Sequence, residues 1–173
     1  MQILSTERLN LRVITTGDAA FYLALINDPA FIANIHDKGI RTLEAATESI
    51  INGPLISQAK NGFSLYVVER KDDAQPMGLC GLVKRETLKN IDIGYAFLPQ
   101  YLGQGYAREA ARATVEYARS HLQLPKLAAI TSPTNDSSNK LLESLGFVLE
   151  AVVVLDGETR NTNLYGYEFT GKN

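Results

Sequence analysis

Apolar and polar positions alternate in several short stretches of the chain, which is typical of half-buried β-strands. The first stretch is residues 9–13, where Leu9, Leu11 and Val13 are separated by polar side chains. Turn-forming residues bound the stretches, and three in the middle of the chain form a predicted antiparallel meander. The pattern predicts about seven strands, at residues 9–13, 63–69, 77–84, 91–98, 127–131, 147–155 and 164–169.

Helical spacing of apolar residues predicts about four helices between these strands. The first follows Asp18, and Asp28-Pro29 is expected to end it, leaving residues 31–40 irregular. The second follows Thr42, and Gly53-Pro54 should kink it or divide it in two. Two more are predicted at residues 107–122 and 139–145. The chain is therefore expected to form one mixed α/β (α+β) domain over residues 1–173.

Composition narrows the choice of partner. The net charge of −2 argues against nucleic acid as the main partner, because phosphate-binding surfaces usually carry a basic excess. One cysteine and two histidines make a metal site improbable. No apolar run approaches the roughly 20 residues that span a bilayer, and the first residues lack the pattern of a signal peptide. A cytoplasmic protein without a membrane partner is expected.

The stretch Gln100 to Ala107 lies between a predicted strand and a predicted helix. Gly103 and Gly105 can adopt backbone angles that other residues resist, and they let a ligand approach closely. Unpaired N–H groups at the start of the following helix form a ready site for phosphate. A nucleotide-binding loop would carry Lys-Ser or Lys-Thr next, but Tyr106-Ala107 follows Gly105.

This strand, the pattern Gln100-x-x-Gly103-x-Gly105 and the long helix together resemble the acetyl-CoA loop of the GNAT N-acetyltransferases. Thr6 to Arg12 resembles the opening strand of the RimJ/RimL branch, which acetylates ribosomal-protein N-termini. Asp92-Ile93-Gly94-Tyr95 before the loop and Tyr106-Ala107-Arg108-Glu109 after it fit the same branch. The segment Asn135 to Phe147 looks like its second CoA-contacting helix. The motifs keep their order from residue 6 to about 150.

The resemblance implies a GNAT fold, whose mostly antiparallel sheet splays between its fourth and fifth strands, here residues 91–98 and 127–131. The pantetheine arm of CoA would enter that gap, beside the backbone of Phe97, Leu98 and Pro99. Asn135 would hydrogen-bond the arm. The implied loop contacts to CoA are Gln100, Gly103, Gln104, Gly105, Tyr106 and Ala107.

Asp92 is the first candidate for a general base, because it stands where the branch often has Glu. An equally weighted interpretation is an exposed strand carboxylate paired with Lys89 or Lys84. By alternation Asp92 and Gly94 share one face of the strand, while Ile93 and Tyr95 share the other. The sequence does not say which face meets the substrate.

Ser138 is the candidate that would protonate or hydrogen-bond the leaving thiolate, since it matches a serine of the RimJ/RimL branch. Its structural alternative is a serine in the first turn of a helix, satisfying backbone donors. Many GNAT enzymes use a tyrosine acid that corresponds to Leu142 here, so that mechanism is not expected. Tyr95 is interpreted as a packing residue rather than an acid.

We therefore expect an enzyme that moves an acetyl group from acetyl-CoA directly to a primary amine, with no metal. The amine would belong to a protein N-terminus or to a small molecule, and its site would involve Phe31–Leu55 and residues 156–164. The alternative is a non-catalytic acyl-CoA-binding domain on the same fold. A monomer and a homodimer both fit the sequence.

Overall fold

A computed structural model describes residues 1–169, in which one sheet carries helices on both faces. The sheet has eight strands in the order β1-β2-β3-β4-β5-β6-β8-β7. Every neighbouring pair is antiparallel except β5 and β6, which are parallel. The strands are β1 (Gln2–Ser5), β2 (Leu9–Val13), β3 (Leu65–Arg70), β4 (Pro76–Val83), β5 (Asp92–Phe97), β6 (Lys126–Thr131), β7 (Val148–Val153) and β8 (Thr162–Glu168).

Six α-helices accompany the sheet within the described part of the chain. They are α1 (Ala19–Ile26), α2 (Pro29–Asn34), α3 (Leu43–Ile50), α4 (Ile56–Asn61), α5 (Tyr106–Ser120) and α6 (Asp136–Leu145). A π-helical segment, Ile51–Leu55, joins α3 to α4 and contains Pro54, so the predicted interruption takes this form. None of these helices has the length and apolar character needed to cross a membrane.

The alternation of side chains along β3 divides the core into two parts. Tyr66 and Val68 pack with α5 and α6, whereas Val67 packs with α1, α2 and α3. Along β5, Ile93 and Phe97 belong to the α5–α6 side. This arrangement confirms the predicted mixed, mostly antiparallel sheet and assigns each helix to a face.

Two elements differ from the sequence-based expectation. Strand β1 is an eighth strand at the edge of the sheet, and its four residues are too few to show a clear alternation. The expectation of an irregular segment from Phe31 was wrong as far as Asn34, because α2 covers it. Asp28 accepts a hydrogen bond from the Ala30 N–H at 3.1 Å, so Asp28-Pro29 begins a helix as well as following one.

Small residues let α5 lie close to the sheet. Ala110, Ala111, Thr114 and Ala118 form its buried face, and Thr114 lies 3.4 Å from the sulfur of Cys80 on β4. The two glycines of β4 serve a similar purpose. A Cβ atom at Gly81 would overlap the carbonyl oxygen of Ser64, and one at Gly78 would overlap Phe97.

We expect Gly81→Ala to lower the free energy of unfolding by about 1–3 kcal/mol, because the added methyl group must displace backbone. Gly53→Ala is the matched control, since a Cβ atom there meets nothing within 4 Å. Urea unfolding of the three proteins checks this. Equal stability of Gly81→Ala and the wild type would show that the close approach of β3 to β4 is not required.

Candidate active site

The site begins with a gap in the sheet between β5 and β6. These strands share a single pair, Asp92 with Ala128, where the Ala128 N–H donates to the Ile91 carbonyl at 2.9 Å. Beyond this pair the strands are not bridged, although both continue for several residues. The sheet is therefore open toward the carboxyl ends of β5 and β6, as the predicted splay requires.

The backbone of β5 supplies free polar groups to the gap. Leu98 donates its N–H to the Met77 carbonyl at 2.9 Å, on the β4 side. Alternation in an antiparallel ladder then directs the N–H groups of Tyr95 and Phe97 toward the β6 side. The carbonyls of Leu98 and Pro99 accept from Tyr101 and Leu102 within the following turn. Phe97 is thus the member of the predicted trio whose N–H faces the gap.

The glycine loop follows at the open end of β5. Gly103 has φ of 74° and Gly105 has φ of 81°, a left-handed backbone that suits glycine. Helix α5 then starts at Tyr106, and its first internal bond at this end runs from the Glu109 N–H to the Gly105 carbonyl. Within residues 1–169 no acceptor meets the N–H groups of residues 103–108. Six consecutive amides are therefore available to an anion at the start of a 15-residue helix.

Arg8, which directly precedes β2, contacts this loop and holds it in place. Its guanidinium donates to the Gln104 carbonyl at 3.0 Å and pairs with Glu109 at 2.7 Å. It also lies 4.3 Å from the centre of the Tyr106 ring, which is buried beneath it. The Gln104 side chain closes the loop by donating to the Gln100 carbonyl at 3.0 Å. These contacts fix the loop without using its N–H groups.

Sequence reasoning missed the role of Arg8. Burial favours the neutral form of Glu109, but hydrogen bonds from Thr6 and Arg8 outweigh it and lower the pKa of the carboxyl. The residues that could have revealed this ion pair are Arg8 in the Thr6–Arg12 motif and Glu109 in the motif that follows the loop. Their 101-residue separation hides the pairing in a local pattern.

A second hydrogen-bonded unit joins α6 to β5. Asn135 caps α6 by accepting the Ser138 N–H at 3.3 Å, and the Ser138 hydroxyl lies 2.8 Å from the Tyr95 hydroxyl. Burial raises the pKa of Tyr95 to about 12, so this phenol stays protonated at neutral pH. Tyr95 therefore has a polar partner that the sequence did not predict. Leu142 is 1% exposed in the core and offers no polar group at the position of the tyrosine acid.

Asp92 lies at the closed end of the gap. It is 1% exposed, and its partner is Arg85 of the β4–β5 turn, with Nε 3.0 and 3.3 Å from the two carboxylate oxygens. The interpretation of Asp92 as an exposed carboxylate paired with Lys84 or Lys89 was wrong, because the strand pairing buries it. Burial raises the pKa of Asp92 to about 6, although Arg85 acts in the opposite direction.

The two catalytic candidates lie on opposite faces of β5. Ala96 and Leu98 pack with the α1–α3 side, and a Cβ atom at Gly94 would meet Leu65 of that side. Alternation assigns Asp92 to the same face. Tyr95 packs with the α5–α6 side and reaches Ser138 there. A group held in the gap would therefore have a carboxylate on one side and a hydroxyl pair on the other.

Comparisons with known proteins agree with this geometry. The family described as "Acetyltransferase (GNAT) domain" matches residues 8–148. The uncharacterized N-acetyltransferase YoaA of Bacillus subtilis is 29% identical over 168 residues, with 94% of each chain covered.

Two solved structures share the fold. The acetyltransferase from Agrobacterium tumefaciens has a TM-score of 0.82 and 23% identity, covering 98% of this chain and 95% of that one. RimL, the ribosomal L7/L12 α-N-protein acetyltransferase, was solved in complex with coenzyme A. It has a TM-score of 0.79 and 19% identity, covering 97% of this chain and 98% of that one.

We expect Asp92→Asn to raise the free energy of unfolding at pH 7.5 by about 1–3 kcal/mol. The folded-state pKa lies above the ordinary carboxyl value, so the ionised form is disfavoured by folding. The stability gained by the substitution should be greatest above pH 6. It should shrink as the pH falls toward 4, because the wild-type carboxyl becomes protonated in the folded protein over this range. Urea unfolding across this pH range measures it.

The exposed Asp72 in the β3–β4 turn gives the control, because Asp72→Asn should change stability by less than about 0.5 kcal/mol at either pH. A large loss of stability for Asp92→Asn at pH 7.5 would instead assign the carboxylate to maintaining the fold.

Proposed function

We propose that this chain, which belongs to the GNAT family of acetyltransferases, moves an acetyl group from acetyl-CoA directly to a primary amine. The family match and a relative named as an N-acetyltransferase support an acetyl-transferring enzyme. The observation that carries the donor assignment is the row of unbonded amides at residues 103–108 beside the open edge of β5. The CoA found in the RimL structure, which shares the fold, supports the same donor.

The donor would bind along two connected surfaces. The loop amides and the start of α5 would take the pyrophosphate, with Gly103 and Gly105 permitting close approach. The remaining proposed loop contacts are Gln100, Gln104, Tyr106 and Ala107. The pantetheine arm would leave the loop beside Pro99 and lie in the gap along Leu98 and Phe97. There it would meet the Asn135 side chain.

Acetyl transfer needs a neutral amine, stabilisation of an oxyanion and a partner for the departing thiolate. Asp92 would take the amine proton as the nitrogen–carbon bond forms. The gap-facing N–H groups of β5 would polarise the thioester carbonyl. The Ser138 hydroxyl would give a hydrogen bond or a proton to the sulfur as the carbon–sulfur bond breaks, with Tyr95 orienting it and able to replace the proton.

The opposite placement of these groups suits the reaction. A base and an acid that both act on one acetyl group must approach it from the amine side and the sulfur side. Asp92 and the Tyr95–Ser138 pair meet this requirement across β5. Positioning in a gap of this kind can supply much of the rate enhancement without a covalent intermediate.

The acceptor class follows from the branch. The motifs resemble the RimJ/RimL branch, and solved structures with the same fold include RimL and a ribosomal-protein-S5-alanine acetyltransferase. We therefore place the chain in that branch, with a protein N-terminal α-amine or a small-molecule amine as acceptor. An α-amine with a pKa near 7.7–8.0 is partly neutral at physiological pH, whereas lysine near 10.4 is not.

The experiment that tests the function is an acceptor screen that follows release of free CoA. Peptides with free N-termini and small primary amines would be incubated with acetyl-CoA and the purified protein. Release that depends on a primary amine, with a product heavier by one acetyl group, is expected. Tight binding of acetyl-CoA without turnover on any amine would contradict the proposal.

Gly105→Glu should weaken acetyl-CoA binding by about 100-fold or more, because a carboxylate would stand beside the pyrophosphate. Gly105→Ala is the matched control, since it carries the same positive-φ strain without the charge and should keep measurable affinity. Calorimetry of acetyl-CoA binding separates the two. Equal affinity of Gly105→Glu and Gly105→Ala would show that the loop does not hold the pyrophosphate.

Ser138→Ala should lower kcat by about 10- to 100-fold while leaving acetyl-CoA affinity nearly unchanged. Tyr95→Phe should give a smaller loss, because the serine hydroxyl remains. Ser120→Ala, at the far end of α5, should behave as the wild type. If Ser138→Ala keeps full turnover on an acceptor identified by the screen, this serine is only a helix residue.

A further inference from the structure

Three segments lie near one another at the end of β5 that holds Asp92. Arg160 of the β7–β8 turn donates to the Ile35 carbonyl in the loop between α2 and α3. Arg85 of the β4–β5 turn reaches Asp92. The charges of Lys38 and Arg85 interact, which places the α2–α3 loop near that turn. The Arg160–Ile35 contact thus joins the two segments that were predicted to form the acceptor site.

The side chains at this place are mostly basic. We call the exposed residues His36, Lys38, Arg85 and Arg160 the basic rim. Burial, together with the positive charges of Lys38, Arg160 and Arg85, lowers the pKa of His36. The rim therefore holds two arginines and a lysine near a histidine whose neutral form is favoured.

Lys38 is exposed, yet partial burial lowers its pKa, with a smaller contribution from Arg85. Its ammonium group is therefore partly surrounded by protein while remaining within reach of a ligand in solvent.

Asp92, Asp37 and Glu158 are the acidic residues that interact with this part of the protein. Asp92 is paired with Arg85, and Asp37 is paired with Arg41 at 2.7 Å. Glu158 lies near His36, where its charge acts against the cations. Within residues 1–169 no carboxylate lies within ion-pair distance of Lys38 or Arg160. The basic rim thus lies near one buried carboxylate and carries cations that are open to a ligand.

We propose that the acceptor carries a carboxylate close to its primary amine, so that the amine meets Asp92 while Lys38 and Arg85 receive the carboxylate. This inference rests on the proposed acetyl transfer and names the acceptor class for the same site. A polyamine, which carries several positive charges and no carboxylate, would be disfavoured by the basic rim.

Arg85 gives the proposal a mechanistic consequence. A ligand carboxylate would compete with Asp92 for the Arg85 guanidinium, which is 41% exposed and free to turn outward. Asp92 would then be left buried without its cation, where it holds a proton more strongly and is a better base. Positive charge around the acceptor amine also favours its neutral, nucleophilic form.

The test uses acceptor pairs that differ only in a carboxylate. One arm compares β-alanine with β-alaninamide, and the other compares two peptides with glutamate or glutamine as their second residue. Spermidine is the cationic probe. We expect the carboxylate member of at least one pair to have a kcat/KM higher by about tenfold or more, and spermidine to be poorer than either member. The arm that responds identifies a small molecule or a protein N-terminus as the source.

Lys38→Gln should reduce the preference for the carboxylate member by roughly fivefold. The exposed Lys60 on α4 provides the control, and Lys60→Gln should keep the wild-type preference. Equal kcat/KM for both members of each pair, or an equal loss for both in Lys38→Gln, would overturn the carboxylate proposal while leaving acetyl transfer intact. Absence of turnover on every amine, with acetyl-CoA bound, would overturn acetyl transfer itself.

Discussion

The site depends on one backbone constraint, the single pairing between β5 and β6 at Asp92 and Ala128. Because the two strands are parallel, a crossover must connect them, and α5 supplies it. The crossover leaves β5 at its open end, so the glycine loop and the start of α5 lie beside the gap. The same divergence leaves the N–H groups of Tyr95 and Phe97 without a neighbouring strand. One splay in the sheet thus creates the gap, its polar edge and the adjacent row of free amides.

The closed end of the gap holds a buried carboxylate, whereas the open end holds free backbone N–H groups. Asp92 is buried where the strands meet, and among residues 1–169 its one ion-pair partner is Arg85, which is 41% exposed. Burial raises the pKa of Asp92 to about 6. A carboxylate with a purely structural role gains nothing from such a raised pKa. A group whose ionisation opposes folding but suits proton transfer near neutral pH is typical of a functional residue.

Local patterns in the sequence were sufficient for the parts of the site that are local. The glycine loop and the start of α5 each lie within a few residues, and both were visible in the order of residue types. Short elements were harder, since β1 has four residues and α2 begins at a proline that also looks like a helix breaker.

Contacts between distant segments could not be predicted in this way. Arg8 reaches Glu109 and Tyr95 reaches Ser138 only because the sheet order brings β2, β5, α5 and α6 together. The face on which Asp92 lies follows from which helices cover each side of the sheet. The partner of Asp92 was missed for the same reason, because the turn that carries Arg85 folds back over the strand.

Hydrogen–deuterium exchange with and without CoA can test whether the glycine loop and the β5–β6 gap bind the donor, because it reports on individual backbone amides. We expect CoA to slow exchange at residues 103–108 and at Tyr95 and Phe97. We expect no change in the open groove between β1 and α5, which Ile3, Tyr117 and His121 help to line. Protection confined to that groove, with residues 95–108 exchanging as before, would contradict the assignment of the β5–β6 gap as the donor site.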